Sequence, residues 1–287
     1  MKIFLIGSTG QVGEALKTNL NKIKKYQVFS LSRNECDLSK INNLKKTIDK
    51  YQPDLIINAA AYTKVDLAED YIDYAYLINS KVVKVIAESA NKLKIPFIHF
   101  STDYVFDGNK KGKYNEEDNP NPIGIYGKSK FEGENAIREL DGHFYIFRVS
   151  WVYSKIRNNF YLTIKKLIDE RNEIKIVSDQ YGVPTSSLFI ANQICKILPK
   201  LNKDNKGIYH LVPDDYCSWY QFAKKIIIFG NLNFNTKNLL QIKSSEYLTK
   251  AKRPKNSILN NQKIKKTFDL SFNSWEKELN NLIQKSK

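Results

Sequence analysis

The chain has 287 residues, of which 42% are hydrophobic and 26% are charged. This length allows one large domain or two small ones, and the apolar share is enough to build a sizeable core. Ordinary glycine and proline contents, without a low-complexity tract, exclude collagen-like, mucin-like and globally disordered chains.

The net charge of +16 raises the question of nucleic-acid binding, because phosphate contacts dominate such binding. The lysines are spread along the whole chain, however, and the densest cluster, residues 263–266, is short. We therefore expect a solvated basic surface and no nucleic-acid partner.

The cysteines and the apolar runs indicate where the protein works. Cys36, Cys195 and Cys217 lie far apart and are accompanied by only 3 histidines, so the sequence predicts no disulfide framework, no metal site and a reducing compartment. The apolar stretch at 3–6 is too short for a signal peptide, and no run approaches the roughly 18 apolar residues of a membrane span. We expect a cytoplasmic protein without membrane contact.

The predicted elements alternate between strands and helices from the first residues onward. A strand at 2–6, a glycine turn at 7–13, a helix at 12–23 and a strand at 26–31 form a βαβ unit. Helices at 41–50, about 67–94 and from about 126 then alternate with strands at 54–58, 96–101 and 143–149. Such alternation predicts an α/β fold with a Rossmann-type, doubly wound parallel sheet.

The regular alternation ends after residue 151. An amphipathic stretch at 159–170, strands at 173–177 and 207–212 and a turn at 182–185 precede further helices. We expect a dinucleotide-binding domain over 1–150 that also includes about 186–212. The remainder, about 151–185 and 213–287, predicts a smaller, discontinuous substrate-binding domain.

The glycine turn predicts a dinucleotide site. Gly7, Gly10 and Gly13 form a G-x-x-G-x-x-G pattern between a strand and a helix, where backbone N–H groups at the helix N-terminus hold a pyrophosphate. Gly7 permits the tight turn, Gly10 lets the pyrophosphate approach, and Gly13 lets the helix pack on the strand.

The end of the second predicted strand bears on cofactor choice. An NAD-preferring site usually has an acid here, whereas the run Ser30-Leu31-Ser32-Arg33 offers hydroxyls and one cation. This run favours NADPH, with NADH possible. Arg33 could also be an ordinary exposed cation.

A tyrosine and a lysine four residues apart give the strongest catalytic signal. Tyr126 and Lys130 open a predicted helix and therefore share one face. A free tyrosine has a pKa of about 10, and a neighbouring ammonium is expected to lower that pKa toward the working range of an acid–base catalyst.

Together these motifs resemble the extended short-chain dehydrogenase/reductase superfamily and, within it, the dTDP-4-dehydrorhamnose reductases. The resemblance covers nearly the whole chain. The glycine loop and the Tyr-x-x-x-Lys pattern indicate only the superfamily, whereas the narrower family is indicated by the runs at 101–108 (STDYVFDG), 148–153 (RVSWVY), 179–185 (DQYGVPT) and 253–260 (RPKNSILN).

The resemblance implies reduction of the 4-keto group of dTDP-4-dehydro-L-rhamnose to dTDP-L-rhamnose. Tyr126 is then the proton donor, Lys130 binds the nicotinamide ribose and tunes Tyr126, and Thr102 binds the same carbonyl oxygen. The implied cofactor-binding residues are Gly7, Gly10, Gln11, Val12, Gly13, Arg33, Asp37, Leu38, Ala61, Tyr62, Thr63, Tyr126 and Lys130. The implied contacts with the dTDP-sugar are Thr102, Asp103, Trp151 and Arg253, with Arg253 on the pyrophosphate.

Several of these residues have ordinary structural interpretations that stay open. Trp151 could be plain core packing, Arg253 a surface cation, and Asp37 a cap of the helix that follows. Asn79, on the long predicted helix, matches the superfamily's structural asparagine.

The chain departs from one branch of the family. Some members form a dimer through a metal bridged by glutamates, at positions occupied here by Ala15 and Leu188. We therefore expect a monomer or weak homodimer that needs no divalent metal.

Two alternative functions remain at this stage. The first is another enzyme of the superfamily, either a 4,6-dehydratase or a reductase or epimerase of another nucleotide sugar. These enzymes use the same tyrosine and lysine, but dehydratases add an Asp-Glu pair after the threonine, and here Asp103 is followed by Tyr104. A non-catalytic subunit similar to the regulatory subunit of methionine adenosyltransferase would bind NADPH without consuming it.

Overall fold

The computed structural model describes residues 1–31 and 35–284. The strands are β1 Lys2–Ile6, β2 Gln27–Leu31, β3 Leu55–Asn58, β4 Phe97–Thr102, β5 Phe144–Val149, β6 Val152–Tyr153, β7 Ile174–Val177, β8 Tyr181–Gly182, β9 Thr185–Ser186, β10 Gly207–His210, β11 Cys217–Ser218 and β12 Leu239–Ile242. The α-helices are α1 Gln11–Leu20, α2 Ile41–Tyr51, α3 Val65–Ala68, α4 Ile72–Tyr76, α5 Val82–Leu93, α6 Ile125–Arg138, α7 Phe160–Glu170, α8 Ser187–Ile197, α9 Trp219–Gly230, α10 Gln262–Phe268 and α11 Trp275–Gln284.

Six of the strands form one parallel sheet in the order β10-β5-β4-β3-β1-β2. The chain leaves β1 first toward β2 and then returns to β3 on the other side of β1. This reversal creates the crevice at the carboxyl ends of the strands in which doubly wound folds bind ligands. The predicted Rossmann-type α/β fold is confirmed.

Strand β1 shows why the sheet is covered on both faces. Ile3 and Leu5 belong to the apolar core beneath α1 and α8, whereas Phe4 and Ile6 belong to the core beneath α2 and α5. Successive side chains of a strand point to opposite faces, so a continuous apolar run requires two covering layers.

The helix predicted at about 67–94 is present over residues 72–93, but residues 69–71 separate this part from α3. The structure has the short helices α3 and α4, a π-helix at Leu77–Lys81 and then α5. Contacts with distant segments accompany these interruptions: the Asp66 carboxylate accepts a hydrogen bond from the Ala251 backbone (3.1 Å), and Asp70 pairs with Lys250. The spacing of apolar residues along this segment gives no information about contacts with residues so far away in the chain.

A second core lies beyond the sheet. Strands β7 and β12 pair in parallel, and α7, α9 and α11 pack around side chains such as Ile164, Phe222 and Leu279. Ile264 and Phe268 of α10, however, pack in the core of the large sheet. Residues 213–287 thus contribute to both cores, and the division into two domains stays a prediction. Within the described ranges, no helix has the length and apolar character needed to span a membrane.

Candidate active site

A cleft of about 1800 Å³ runs along the carboxyl ends of the strands and continues over β7. It is large for a small-molecule pocket, which typically encloses about 300–1,000 Å³. The sequence-predicted residues on its walls are Gly10, Gln11, Val12, Ala61, Thr63, Thr102, Asp103, Tyr126, Lys130, Trp151 and Arg253. The structure therefore brings most of the candidate cofactor, catalytic and substrate residues together around one cavity.

The glycine loop has the geometry that its three glycines were predicted to allow. Gly7 has φ +79°, and a Cβ atom on it would lie 2.5 Å from the Ala60 nitrogen. A Cβ atom on Gly13 would overlap the Gly7 carbonyl oxygen. At Gly10 a Cβ atom would meet only that same oxygen, at 3.4 Å, so the loop is open toward the cleft. A ligand in the cleft can therefore come close to the backbone of the glycine loop at Gly10.

The first turn of α1 supplies donors to the same cradle. Gly10 is its N-cap and makes no side-chain cap, and the first N–H groups of a helix lack intrahelical acceptors. Gln11 accepts a hydrogen bond from Ser154 Oγ (2.8 Å), and Arg157 Nε donates to the Thr9 carbonyl oxygen (3.0 Å). These residues fit a dinucleotide pyrophosphate. Arg157 lines the cleft but was missed by sequence reasoning, because 148 residues separate it from Thr9.

Three other predicted cofactor residues, Tyr62, Leu38 and Asp37, are not among the residues that line the cleft. Tyr62 is tied to the long segment that follows, since its backbone exchanges two hydrogen bonds with the Asn79 carboxamide (2.8 and 3.1 Å). Leu38 packs against the core beneath α2 and α5. The Asp37 carboxylate accepts hydrogen bonds from Ser39, and the N-cap residue of α2 is Lys40. Arg33 lies outside the described residues.

Tyr126 and Lys130 lie one turn apart on α6, as predicted, and both line the cleft. Lys130 is only 1% exposed, and its Nζ lies 2.6 Å from the Phe100 carbonyl oxygen and 3.0 Å from His99 Nε2. Burial lowers the pKa of Lys130 to about 7.

The expected lowering of the tyrosine pKa is wrong for this structure. Burial raises the pKa of Tyr126, and a hydrogen bond with Thr102 offsets only part of that rise. Since the lysine amine is itself driven toward neutrality by burial, it supplies little of the positive potential that the prediction required. The cofactor-free site therefore holds Tyr126 as a protonated phenol.

Thr102 and Asp103 lie at the end of β4, next to the candidate catalytic residue Tyr126. The Thr102 hydroxyl lies 3.1 Å from Asp103 Oδ1, and Ser150 Oγ donates to Asp103 Oδ2 at 2.9 Å. Burial raises the pKa of the Asp103 carboxyl to about 6, against the lowering effect of hydrogen bonds from the surrounding hydroxyls. A carboxyl group with a pKa of about 6 thus lies close to Tyr126.

Trp151 forms the next part of the wall. Its indole stacks on that of Trp219, with ring centroids 3.4 Å apart and an interplanar angle of 6°. The backbone of Trp151 has φ +45°, and its indole lies over Gly182, where a Cβ atom would overlap the ring. Trp219 also lines the cleft, and no sequence motif had identified it.

Arg253 lines the cleft, and its Nη2 donates to Asp66 Oδ2 at 2.7 Å. Its Nε is buried and has no hydrogen-bond partner within the described residues. The guanidinium also interacts with the phenol of Tyr104, whose pKa burial raises to about 12. A partly buried guanidinium with an unused donor suits an anionic ligand.

The two positions that suggested a metal-free protein have apolar surroundings. Ala15 packs against the core beneath α1, and Leu188 packs against the core of α7, α9 and α11. In the part of the chain that the structure describes, no group of three or more His, Cys, Asp or Glu residues is placed to hold a metal ion. Independence from metal and the oligomeric state stay predictions.

A doubly wound sheet, a glycine loop at the first strand and a Tyr-x-x-x-Lys pair on the cleft wall define a dinucleotide-dependent oxidoreductase of the extended short-chain dehydrogenase/reductase class. The family model described as the RmlD substrate binding domain matches residues 1–287. The chain belongs to this family, and the resemblance that its motifs indicated is confirmed.

Relatives named dTDP-4-dehydrorhamnose reductase match nearly the whole length of the chain. The dTDP-4-dehydrorhamnose reductase of Aggregatibacter actinomycetemcomitans is 37% identical over 287 residues, with 98% of each chain covered. A crystal structure of the Bacillus anthracis str. Ames dTDP-4-dehydrorhamnose reductase in complex with NADP has a TM-score of 0.93, 35% identity and 99% coverage of each chain. The Clostridium acetobutylicum ATCC 824 structure of the same enzyme has a TM-score of 0.93, 34% identity and coverages of 100% and 99%.

Proposed function

We propose that the protein reduces the 4-keto group of dTDP-4-dehydro-L-rhamnose to give dTDP-L-rhamnose, with NADPH as the hydride donor. The observation that carries this proposal is the presence of Tyr126, Lys130 and Thr102 on the wall of one cleft, next to the glycine loop. Full-length similarity to reductases named for this substrate supports the choice of reaction.

The cofactor would lie across the carboxyl ends of β1 and β3. Gly10, Gln11 and Val12 would hold its pyrophosphate, together with Arg157, and Ala61 and Thr63 would line the path of the nicotinamide half. Bound NADPH supplies the hydride. The NADP in the Bacillus anthracis relative supports the phosphorylated cofactor, with NADH as the second choice.

Tyr126 would give its proton to the carbonyl oxygen as negative charge develops there. Its raised pKa keeps the phenol protonated near neutral pH, which is the state a proton donor needs in the direction of reduction. The Thr102 hydroxyl, hydrogen-bonded to this phenol, is placed to bind the same oxygen. Lys130 would contact the nicotinamide ribose.

The sugar nucleotide would fill the remaining length of the cleft. Asp103 and the Trp151 indole would contact the sugar, and the Arg253 guanidinium would bind the pyrophosphate. The part of the cleft that extends over β7 to residues 244–249 leaves room for the nucleoside.

We also propose that the protein works in the cytoplasm as a monomer or weak homodimer, without a nucleic-acid partner. Three free cysteines, two of them buried, support a reducing compartment. The dispersed lysines support a solvated surface.

The direct test is to mix the protein with NADPH and dTDP-4-dehydrorhamnose, which an epimerase supplies in situ, and to follow the absorbance of the reduced cofactor. We expect NADPH to be consumed and dTDP-L-rhamnose to appear by chromatography. NADPH binding without consumption would instead support a regulatory subunit. Consumption only with another nucleotide sugar would correct the substrate.

A further inference from the structure

A buried chain of hydrogen bonds runs from β3 through β4 to the lysine of the active site. Asn58 Nδ2 lies 3.2 Å from His99 Nδ1, and His99 Nε2 lies 3.0 Å from Lys130 Nζ. Asn58, His99 and Lys130 are 1%, 0% and 1% exposed. Because these side chains are almost fully buried, their donors and acceptors must match one another.

The direction of the first hydrogen bond is fixed by the backbone. The Ala60 N–H can only donate, and it lies 3.0 Å from Asn58 Oδ1. The Asn58 amide therefore presents its NH₂ group to His99 Nδ1. The opposite amide orientation would set the NH₂ group against the Ala60 N–H, donor against donor.

The ring of His99 then has one consistent tautomer. A neutral imidazole has one donor nitrogen and one acceptor nitrogen, so an accepting Nδ1 requires a protonated Nε2. A doubly protonated ring would set Nδ1–H against the Asn58 NH₂ group. Burial and the neighbouring Lys130 also hold the pKa of His99 well below its usual value. The Nε2–H group therefore points at Lys130.

Lys130 must accept this hydrogen bond. An ammonium has three donors and no acceptor, whereas a neutral amine has one lone pair and two donors. The Phe100 carbonyl, 2.6 Å from Nζ, takes one of those donors. We infer that His99 is a positioning residue: fixed by Asn58 as the Nε2–H tautomer, it donates to Lys130 Nζ and favours the neutral amine in the cofactor-free protein.

The other charges around Lys130 do not reverse this preference. Glu134, on the same helix, favours the ammonium, but its carboxylate is held by Arg148 of β5 through two hydrogen bonds of 2.9 and 2.6 Å. Tyr126 is a neutral phenol, and burial raises the pKa of Asp103. Burial is the largest influence and lowers the pKa of Lys130 to about 7.

The consequence is a lysine that can take up or release a proton near neutral pH, where an ordinary lysine, with a pKa of about 10.4, stays charged. The inference concerns the protein without substrate or cofactor, so it does not depend on the identity of the sugar. It assigns to His99 a part in setting the charge of the active site, although the histidine lies outside the cleft lining.

The test is long-range ¹H–¹⁵N NMR of the histidine rings in the cofactor-free wild-type protein at about pH 7.5. We expect His99 to show a protonated, pyrrole-like Nε2 and an unprotonated Nδ1. His210 provides an internal reference of the opposite kind, because its Nδ1 lies 3.1 Å from the Asn260 carbonyl oxygen and must donate. A protonated Nδ1 in His99 would overturn the inference, since Lys130 would then donate as an ammonium.

A variant tests whether the tautomer controls the lysine. Asn58→Asp keeps an acceptor for Ala60 N–H but would accept from His99 Nδ1–H, reversing the tautomer. We expect the titration of Lys130, followed by ¹³C NMR of labelled lysine, to move upward by about one unit or more. Asn91→Asp, on the exposed end of α5, is the matched control and should change neither signal. If the tautomer of His99 reverses but the pKa of Lys130 does not change, His99 does not control the charge of Lys130 and the inference is overturned. If Asn58→Asp does not fold, the wild-type spectrum alone decides.

Discussion

The Arg253 guanidinium donates to the Asp66 carboxylate at 2.7 Å and joins two segments that lie 187 residues apart in the chain. Arg253 lines the cleft, and its guanidinium keeps a buried Nε that has no partner among the described residues. An incoming pyrophosphate therefore meets an arginine that is already oriented.

Replacing this arginine should weaken substrate binding more than turnover. For Arg253→Lys we expect the KM for the sugar nucleotide to rise by about 10- to 100-fold, because a charge-assisted fork contact contributes about 1.5–3 kcal/mol. The KM for NADPH should not change. Steady-state kinetics with each substrate varied in turn measures both values, and Lys263→Met provides a surface control. Equal rises in both KM values would contradict a role confined to the substrate pyrophosphate.

Removing the phenol should stop the chemistry and spare cofactor binding. For Tyr126→Phe we expect kcat to fall by about 10²- to 10⁴-fold, since the ring remains and the proton donor is lost. NADPH affinity, measured by fluorescence titration, should stay within about twofold of wild type. Tyr216→Phe, at a side chain that is 50% exposed, should behave as wild type. A near wild-type kcat in Tyr126→Phe would remove this residue from the mechanism.

The preference between NADPH and NADH tests whether the residues at the end of the second predicted strand recognise the cofactor phosphate. The hydroxyls and Arg33 predict a higher kcat/KM for NADPH than for NADH, by about 10- to 100-fold for one charge-assisted phosphate contact. Arg33→Ala should lose most of that preference through a higher KM for NADPH alone. An equal or better kcat/KM for NADH in the wild type would show that Arg33 does not recognise the phosphate.

The buried carboxyl of Asp103 should make stability depend on pH. Its pKa is raised to about 6 in the folded state, so the folded protein binds a proton that the unfolded chain has already released above pH 4. Its stabilising contribution is therefore fully present below pH 4 and is lost as pH rises through about 6.

The isosteric Asp103→Asn variant isolates this effect. Between about pH 4.5 and pH 7.5, the free energy of unfolding of wild type relative to the variant should fall by about 2 kcal/mol, at about 1.4 kcal/mol per pKa unit. Urea unfolding of both proteins at the two pH values gives the difference. A difference that rises with pH would show that Asp103 titrates in the opposite sense.

Two measurements, activity without metal and molecular mass in solution, test the prediction that the chain needs neither a divalent metal nor a dimer. With Ala15 and Leu188 at those positions, we expect full activity in EDTA and a predominantly monomeric mass of 33.3 kDa by light scattering. Neither side chain can coordinate a hard cation. Twice that mass, with activity lost in EDTA and restored by Mg²⁺, would contradict the prediction.

The sheet could be predicted from sequence because β1, β3, β4 and β5 are buried on both faces and are rich in apolar side chains. The candidate catalytic pair could be predicted as neighbours because Tyr126 and Lys130 lie on one helix. By contrast, Arg157 reaches Thr9, and Trp219 reaches Trp151, only after the chain has folded. The pKa of Tyr126 was missed for a related reason, since burial of the phenol depends on residues from several elements.

The Trp151–Trp219 stack gives the protein a native optical probe. Two parallel indoles with centroids 3.4 Å apart couple electronically, so the pair should produce a circular-dichroism couplet and quenched emission that isolated tryptophans lack. Because both rings line the cleft, a bound sugar nucleotide that displaces either one would change these signals. Substrate affinity could then be titrated without label or turnover, with Trp275, buried in the core of α7, α9 and α11, as the unaffected background.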